Sequence, residues 1–109
     1  MPHAKCDAPR LAQIVEHCFD FAMDGRLSPA RRTKFLIAGK RLRGSLLNLI
    51  AARFNDTDAL RAANARLEAV NAQLERQKDV LERTSQAIRD LGTLISALDR
   101  LLGTATRFV

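Results

Sequence analysis

The sequence predicts an all-α fold, and three observations carry that expectation. Aliphatic residues recur every seven positions from Leu60 to Leu102 without a miss, a repeat that belongs to helices packed side by side. Two apolar stripes of helical period precede it. Gly and Pro are few and lie mostly before residue 45, whereas a sandwich or barrel needs turn residues along its whole length. At 109 residues the chain can bury one modest core. The expected architecture is a helical hairpin of two shorter helices (1–55) followed by one long heptad-repeat helix (56–109). The whole forms a single module that assembles as a coiled-coil or helical-bundle oligomer.

The first helix is expected from about Ala8 to Met23. Leu11, Ile14, Val15, Cys18, Phe19, Ala22 and Met23 make its apolar stripe, with the i, i+3, i+4, i+7 spacing of an amphipathic helix. Pro9 suits the first turn, and Gly25 suits the position just past the end. Ser28-Pro29 then reads as an N-cap followed by proline at the first helical position, opening a second helix that runs to about Phe54. Leu36, Leu46, Leu47, Ile50 and Phe54 fall on one side of it, widened by Phe35, Leu42 and Leu49, with Lys34, Arg41, Ser45 and Asn48 opposite. Arg43 lies near the apolar side and must snorkel or find a partner. Gly39 and Gly44 weaken this helix but admit close approach of another backbone. Asn55-Asp56-Thr57-Asp58 is the next break, built of residues that favour caps and turns.

From there nothing stops a helix until Gly103, which allows about 45 residues or roughly 68 Å. Leu60, Leu67, Leu74, Leu81, Ile88, Ile95 and Leu102 occupy the a positions; Ala63, Val70, Gln77, Thr84, Leu91 and Leu98 occupy d. Polar Gln77 and Thr84 interrupt the seam, and such residues lower stability while fixing register. Beyond residue 78 the g positions Val80, Ala87, Leu94 and Leu101 are apolar too, as in a bundle helix covered on two sides. A second helix of about 26 residues covers the third only to about residue 83. The apolar stretch 84–102 would then lie bare, which a chain in water avoids. It is therefore expected to meet another chain. The alternative is a break near Thr84-Ser85, with the last segment folding back to close a four-helix bundle, although no turn glycine or proline stands there.

Net charge is +6, and it is unevenly placed. Residues 25–55 carry Arg26, Arg31, Arg32, Lys34, Lys40, Arg41, Arg43 and Arg53 with no acid, while 1–24 is net −2 and 56–109 is neutral. A block of this kind attracts phosphate, and Arg31, Arg32, Lys34, Lys40, Arg41 and Arg43 are the candidate contacts. The plain alternative is a basic helix that only solvates the fold.

Catalytic patterns are absent. There is no Glu-x-x-His, no H-E-x-x-H and no glycine-rich phosphate loop, so no enzymatic role and no cofactor is expected. His3, Cys6, His17 and Cys18 are the sole cluster of metal-ligand type. Adjacent His17 and Cys18 diverge by about 100° on a helix, which suits a shared zinc poorly. The favoured reading is one buried thiol, one frayed thiol and two surface imidazoles, with no metal. A cytosolic chain keeps both thiols reduced. MPHAKCDAPR lacks the apolar stretch of a secretory signal, and the sequence holds no run of about 18 or more apolar residues that could span a membrane. A cytoplasmic, bacterial origin is expected, in a cell whose coding favours Ala, Arg and Leu.

The stretch LRAANARLEAVNAQLERQ resembles the linker coiled coils of bacterial signalling proteins, over 18 of the 109 residues. No phosphoacceptor histidine follows it, which disfavours a histidine-kinase dimerisation domain. The function expected is therefore oligomerisation or adaptor binding through Leu60, Leu67, Leu74, Leu81, Ile88, Leu91, Ile95, Leu98 and Leu102. The partner is a second copy (a dimer first) or another helical protein. The alternative is a small dimeric nucleic-acid-binding accessory or regulatory protein using segment 25–55. Membrane contact by FLIAGKRLRGSLLNLIAARF ranks below both, on the expectation that packing hides its apolar face.

Overall fold

The structure, a computed structural model, describes residues 6–52, 54 and 57–104. They form four α-helices: α1 (Ala8–Ala22), α2 (Pro29–Ala51), α3 (Thr57–Gln77) and α4 (Thr84–Gly103). A single 3₁₀ turn, Leu81–Arg83, joins the last two, and no strand occurs among the described residues. No helix is long and apolar enough to cross a membrane.

Caps explain the first two helices. The Asp7 carboxylate accepts the Arg10 amide at 3.2 Å, and proline in the first turn of α1 removes an N–H that has no helical partner anyway. Ser28 Oγ accepts the Arg31 amide at 3.3 Å ahead of Pro29. The end of α1 differs from expectation. Gly25 adopts no left-handed conformation, and the turn is closed by Asp24 instead. Its carboxylate accepts the Arg26 amide at 3.0 Å and the Arg26 guanidinium at 2.7 Å, an Asx-type turn. The guanidinium holds the Asp24 carboxyl down at about 2.

The long third helix is corrected. Its hydrogen-bond ladder stops at Gln77, the first of the two polar d residues. The Val80 amide bonds to the Gln77 carbonyl at 3.2 Å and the Arg83 amide to the Val80 carbonyl at 3.4 Å. Thr84 then turns its hydroxyl onto the Leu81 carbonyl at 2.8 Å and is wholly buried. No glycine or proline is needed, because the energetics lie elsewhere. Breaking the helix forfeits roughly three or four backbone hydrogen bonds, about 1 kcal/mol each net. Folding back buries Leu91, Leu94, Ile95, Leu98 and Leu101, each contributing about 1.5–3 kcal/mol. Burial wins by several kcal/mol, and the closed four-helix arrangement follows.

The helices pack as two hairpins laid side by side. In the first, Phe21 stacks on Phe35 with centroids 4.8 Å apart, and Gly39 faces Cys18 and Phe19, so α1 and α2 are antiparallel. Between hairpins, α1 runs parallel to α3. The Asp7 amide donates to Asn64 Oδ1 at 2.8 Å, and Asn71 Nδ2 donates to Gln13 Oε1 at 3.0 Å, with near-constant offsets of 57 and 58 residues. Likewise α2 runs parallel to α4, with Arg31 reaching Thr84 and Arg41 reaching Asp99. Thus among the described residues α2 packs on α1 and α4, and α3 stands diagonally across from it in a bundle measuring 46 × 24 × 19 Å. One continuous core fills it.

At Gly39 the α1 and α2 helices stand close together. A Cβ there would stand 3.1 Å from Cys18 Cβ and 3.2 Å from the Phe19 ring, whereas one at Gly44 would meet nothing within 4 Å. Alanine raises helix propensity by about 1 kcal/mol at either site, but overpacking costs about 1–3 kcal/mol, and Cys18 Cβ is fixed to the backbone. Gly44→Ala is expected to raise the melting temperature by a few degrees and Gly39→Ala to lower it, measured by circular dichroism. A rise in both would mean the helices separate at no cost.

The heptad residues give a second test. Leu91 and Leu98 are wholly buried within the chain, so Leu91→Asp or Leu98→Asp places a charge in the core at a cost above about 4 kcal/mol. Both variants are expected to lose cooperative unfolding. A folded, merely monomeric variant would return the seam to a role between chains.

Candidate interaction surface

The surface starts from how α2 divides its residues. Phe35, Ala38, Leu42, Ser45 and Leu49 point inward, and the exposed side keeps Leu36, Ile37, Leu47 and Ile50, which are 37, 54, 67 and 64% exposed. This corrects the expected face: the residues taken as its margin are its centre, and three of those taken as its centre (Leu36, Leu47 and Ile50) are outside. Ser45, expected outward, is buried. The reason is that α2 is far less one-sided than the other helices. Leucine and isoleucine occur around its circumference, and only the tertiary arrangement selects which are covered.

Positions 36, 40, 43, 47 and 50 alternate by four and three, so Leu36, Lys40, Arg43, Leu47 and Ile50 form one stripe along the helix; Lys40 and Arg43 are exposed. Two aliphatic ends therefore flank a cationic middle. Lys34 and Arg41, seven residues apart, share the opposite flank, where Arg41 Nη2 stands 3.8 Å from Asp99 on α4. Arg31 is half-buried and donates to Thr84 Oγ1 at 3.0 Å. Arg32 is half-buried as well, with an Nε that has no hydrogen-bond partner. The six candidate phosphate contacts are thus divided among different sides of α2. Arg53, from the same basic segment, lies outside the described residues.

The heptad residues converge inside. Leu60, Leu67, Leu74, Leu91, Ile95 and Leu98 are buried, while Leu81, Ile88 and Leu102 are partly buried against the same core. The expectation of a bare apolar face over 84–102 is corrected, because α2 and α3 of the same chain cover it.

The remaining candidates give little chemistry. His17 is buried and no surface imidazole, and neither ring nitrogen has a hydrogen-bond partner; Glu75 Oε1 stands 3.7 Å from Nε2. Cys6 is buried too, not frayed, so both cysteines are buried free thiols. His3 lies outside the described residues, and among those described no three His, Cys, Asp or Glu side chains are grouped to hold a metal. A cleft of about 540 Å³ sits at the α3–α4 turn, lined by Gln73, Arg76, Gln77, Val80, Arg83, Gln86 and Asp90. Gln86 Nε2 donates to Asp90 at 3.1 Å, and no nucleophile and base are paired there. Comparison with family models, with curated proteins and with solved structures finds no match to this chain.

Burial, helped by the neighbouring Asp7 carboxylate, pushes the Cys6 thiol from 9.0 up to about 11, and burial alone pushes Cys18 up to about 12. Both groups hold their protons more tightly in the folded chain than in the unfolded one. The stability they contribute is intact below the ordinary value of 9.0 and is lost as pH rises through the folded values. A disulfide reagent at about pH 8 is expected to label neither thiol of the native chain in the minutes that suffice for the unfolded chain. Melting temperature should fall above about pH 9. Fast native labelling would show that one of the two is open to solvent.

Proposed function

We propose that this chain is a non-enzymatic helical interaction module whose working surface is the outer side of α2. The observation that carries the reading is the set of exposed aliphatic residues Leu36, Ile37, Leu47 and Ile50 on a helix that also bears exposed Lys34, Lys40, Arg41 and Arg43 and no acid. Large apolar residues grouped on an exposed face mark contact surfaces. The adaptor reading therefore moves from the C-terminal heptads, which the chain uses for its own core, to α2. The nucleic-acid alternative draws on the same segment but has less support. Its cations face different sides, Arg31 is already engaged, and four aliphatic side chains have nothing to meet on a phosphate backbone.

Photo-crosslinking tests the reading in cells that produce the chain. A photoreactive residue at Leu36 or Leu47 is expected to give crosslinks well above those from exposed Ala65 on α3 or Ser96 on α4. Equal, background-level yields at all four positions would remove α2 as the working surface.

A further inference from the structure

We propose that the outer side of α2 docks on an anionic membrane surface; this rests on the reading of α2 as the working surface and specifies its partner. The aliphatic and cationic residues are interleaved, not segregated, along the stripe Leu36, Lys40, Arg43, Leu47 and Ile50. A bilayer interface accepts that pattern at every position. Acyl chains and anionic headgroups lie within about 10 Å of depth, lipids rearrange laterally, and Lys and Arg lift their charged ends to headgroup level while their stems stay in apolar surroundings.

Other occupants fit less well. A two-fold contact with a second copy, centred on the stripe, sets Arg43 against its own counterpart, because 43 is the midpoint of 36–50. An in-register parallel contact sets Lys40 and Arg43 each against itself. Both oppose like charges. A single acidic helix can cover the stripe but leaves Ile37, which follows Leu36 and lies about 100° around the helix. That isoleucine is 54% exposed. The apolar arc is thus wider than one helix seam and suits an extended surface. Charge agrees: α2 bears no acid, Lys40 and Arg43 are exposed on the stripe itself, and each Lys or Arg near an anionic leaflet raises binding about fivefold.

The test is co-sedimentation of the full chain with vesicles of phosphatidylcholine containing about 30 mol % phosphatidylserine, against phosphatidylcholine alone, at low and high salt. The chain is expected to bind the anionic vesicles at least about tenfold more strongly than the neutral ones, and less at high salt. The double variant Leu47→Ser/Ile50→Ser removes two exposed aliphatic groups and should weaken binding about tenfold or more. Lys40→Glu/Arg43→Glu should do the same. Arg61→Glu/Arg66→Glu, an equal charge change on exposed sites of α3, should weaken it far less, because those sites lie off the docking face. All three pairs sit on the surface, and an unchanged melting temperature confirms that each remains folded.

Absence of binding to anionic vesicles overturns the proposal. So does binding that Leu47→Ser/Ile50→Ser leaves intact, or that the α3 pair weakens equally. Salt-sensitive binding to a DNA duplex that ignores Leu47→Ser/Ile50→Ser, with no vesicle binding, would replace the membrane with nucleic acid. Crosslinks from Leu36 and Leu47 without vesicle binding would leave α2 as the working surface and reject only its membrane partner. Neither crosslinks nor vesicle binding would reject both.

Discussion

The apolar C-terminal helix must be covered, and the rest of the structure depends on that constraint. Ala87, Leu91, Leu94, Ile95, Leu98 and Leu101 are buried on α4, on a face too broad for one neighbour. A continuous helix would hold them away from the remainder of the chain. The break between Gln77 and Thr84 brings them back, and it forms without any residue that forces a turn. A few helical hydrogen bonds are exchanged for a row of buried aliphatic side chains, with Thr84 bonding to the Leu81 carbonyl where the ladder is interrupted.

Closing the bundle this way decides what α2 can do. Because α4 covers one flank of α2 and α1 another, α2 contributes only a strip centred on Phe35, Leu42 and Leu49 to the core. Gly39 lets α1 approach at the middle of that strip. Everything else on α2 is left outside, including leucines and isoleucines as large as those within. Its cations are divided by the same geometry. Arg31 and Arg41 turn toward α4, while Lys40 and Arg43 stay with the exposed aliphatic residues. The chemistry offered outward is thus a mixed apolar and cationic surface.

The buried polar groups follow from the same parallel stacking of hairpins. Asn64 and Asn71 of α3 tie α1 at a near-constant offset through the Asp7 amide and Gln13. His17 and Gln77 are buried with side-chain atoms that have no hydrogen-bond partner. Such groups reduce stability and favour one register over its neighbours, since a shifted helix would lose the asparagine bonds as well.

The sequence by itself determined the helical class, the start of α1 near Ala8 and Pro9, the start of α2 at Ser28 and Pro29, and the seven-residue apolar period of the C-terminal half. These are local matters: caps, proline geometry and the seven-residue period act within a turn or two of the residues that carry them. The two-sided apolar pattern after residue 78 also foretold that the last segment would be covered on two faces. Only the tertiary structure decided that the covering comes from the same chain, that the helix breaks before Thr84, and that Leu36, Leu47 and Ile50 stay outside while Leu42 and Leu49 go in. Periodicity shows which residues can share a face. Which face is buried depends on how many neighbours a helix has and where they stand, and for α2, apolar on nearly every side, packing alone made the choice.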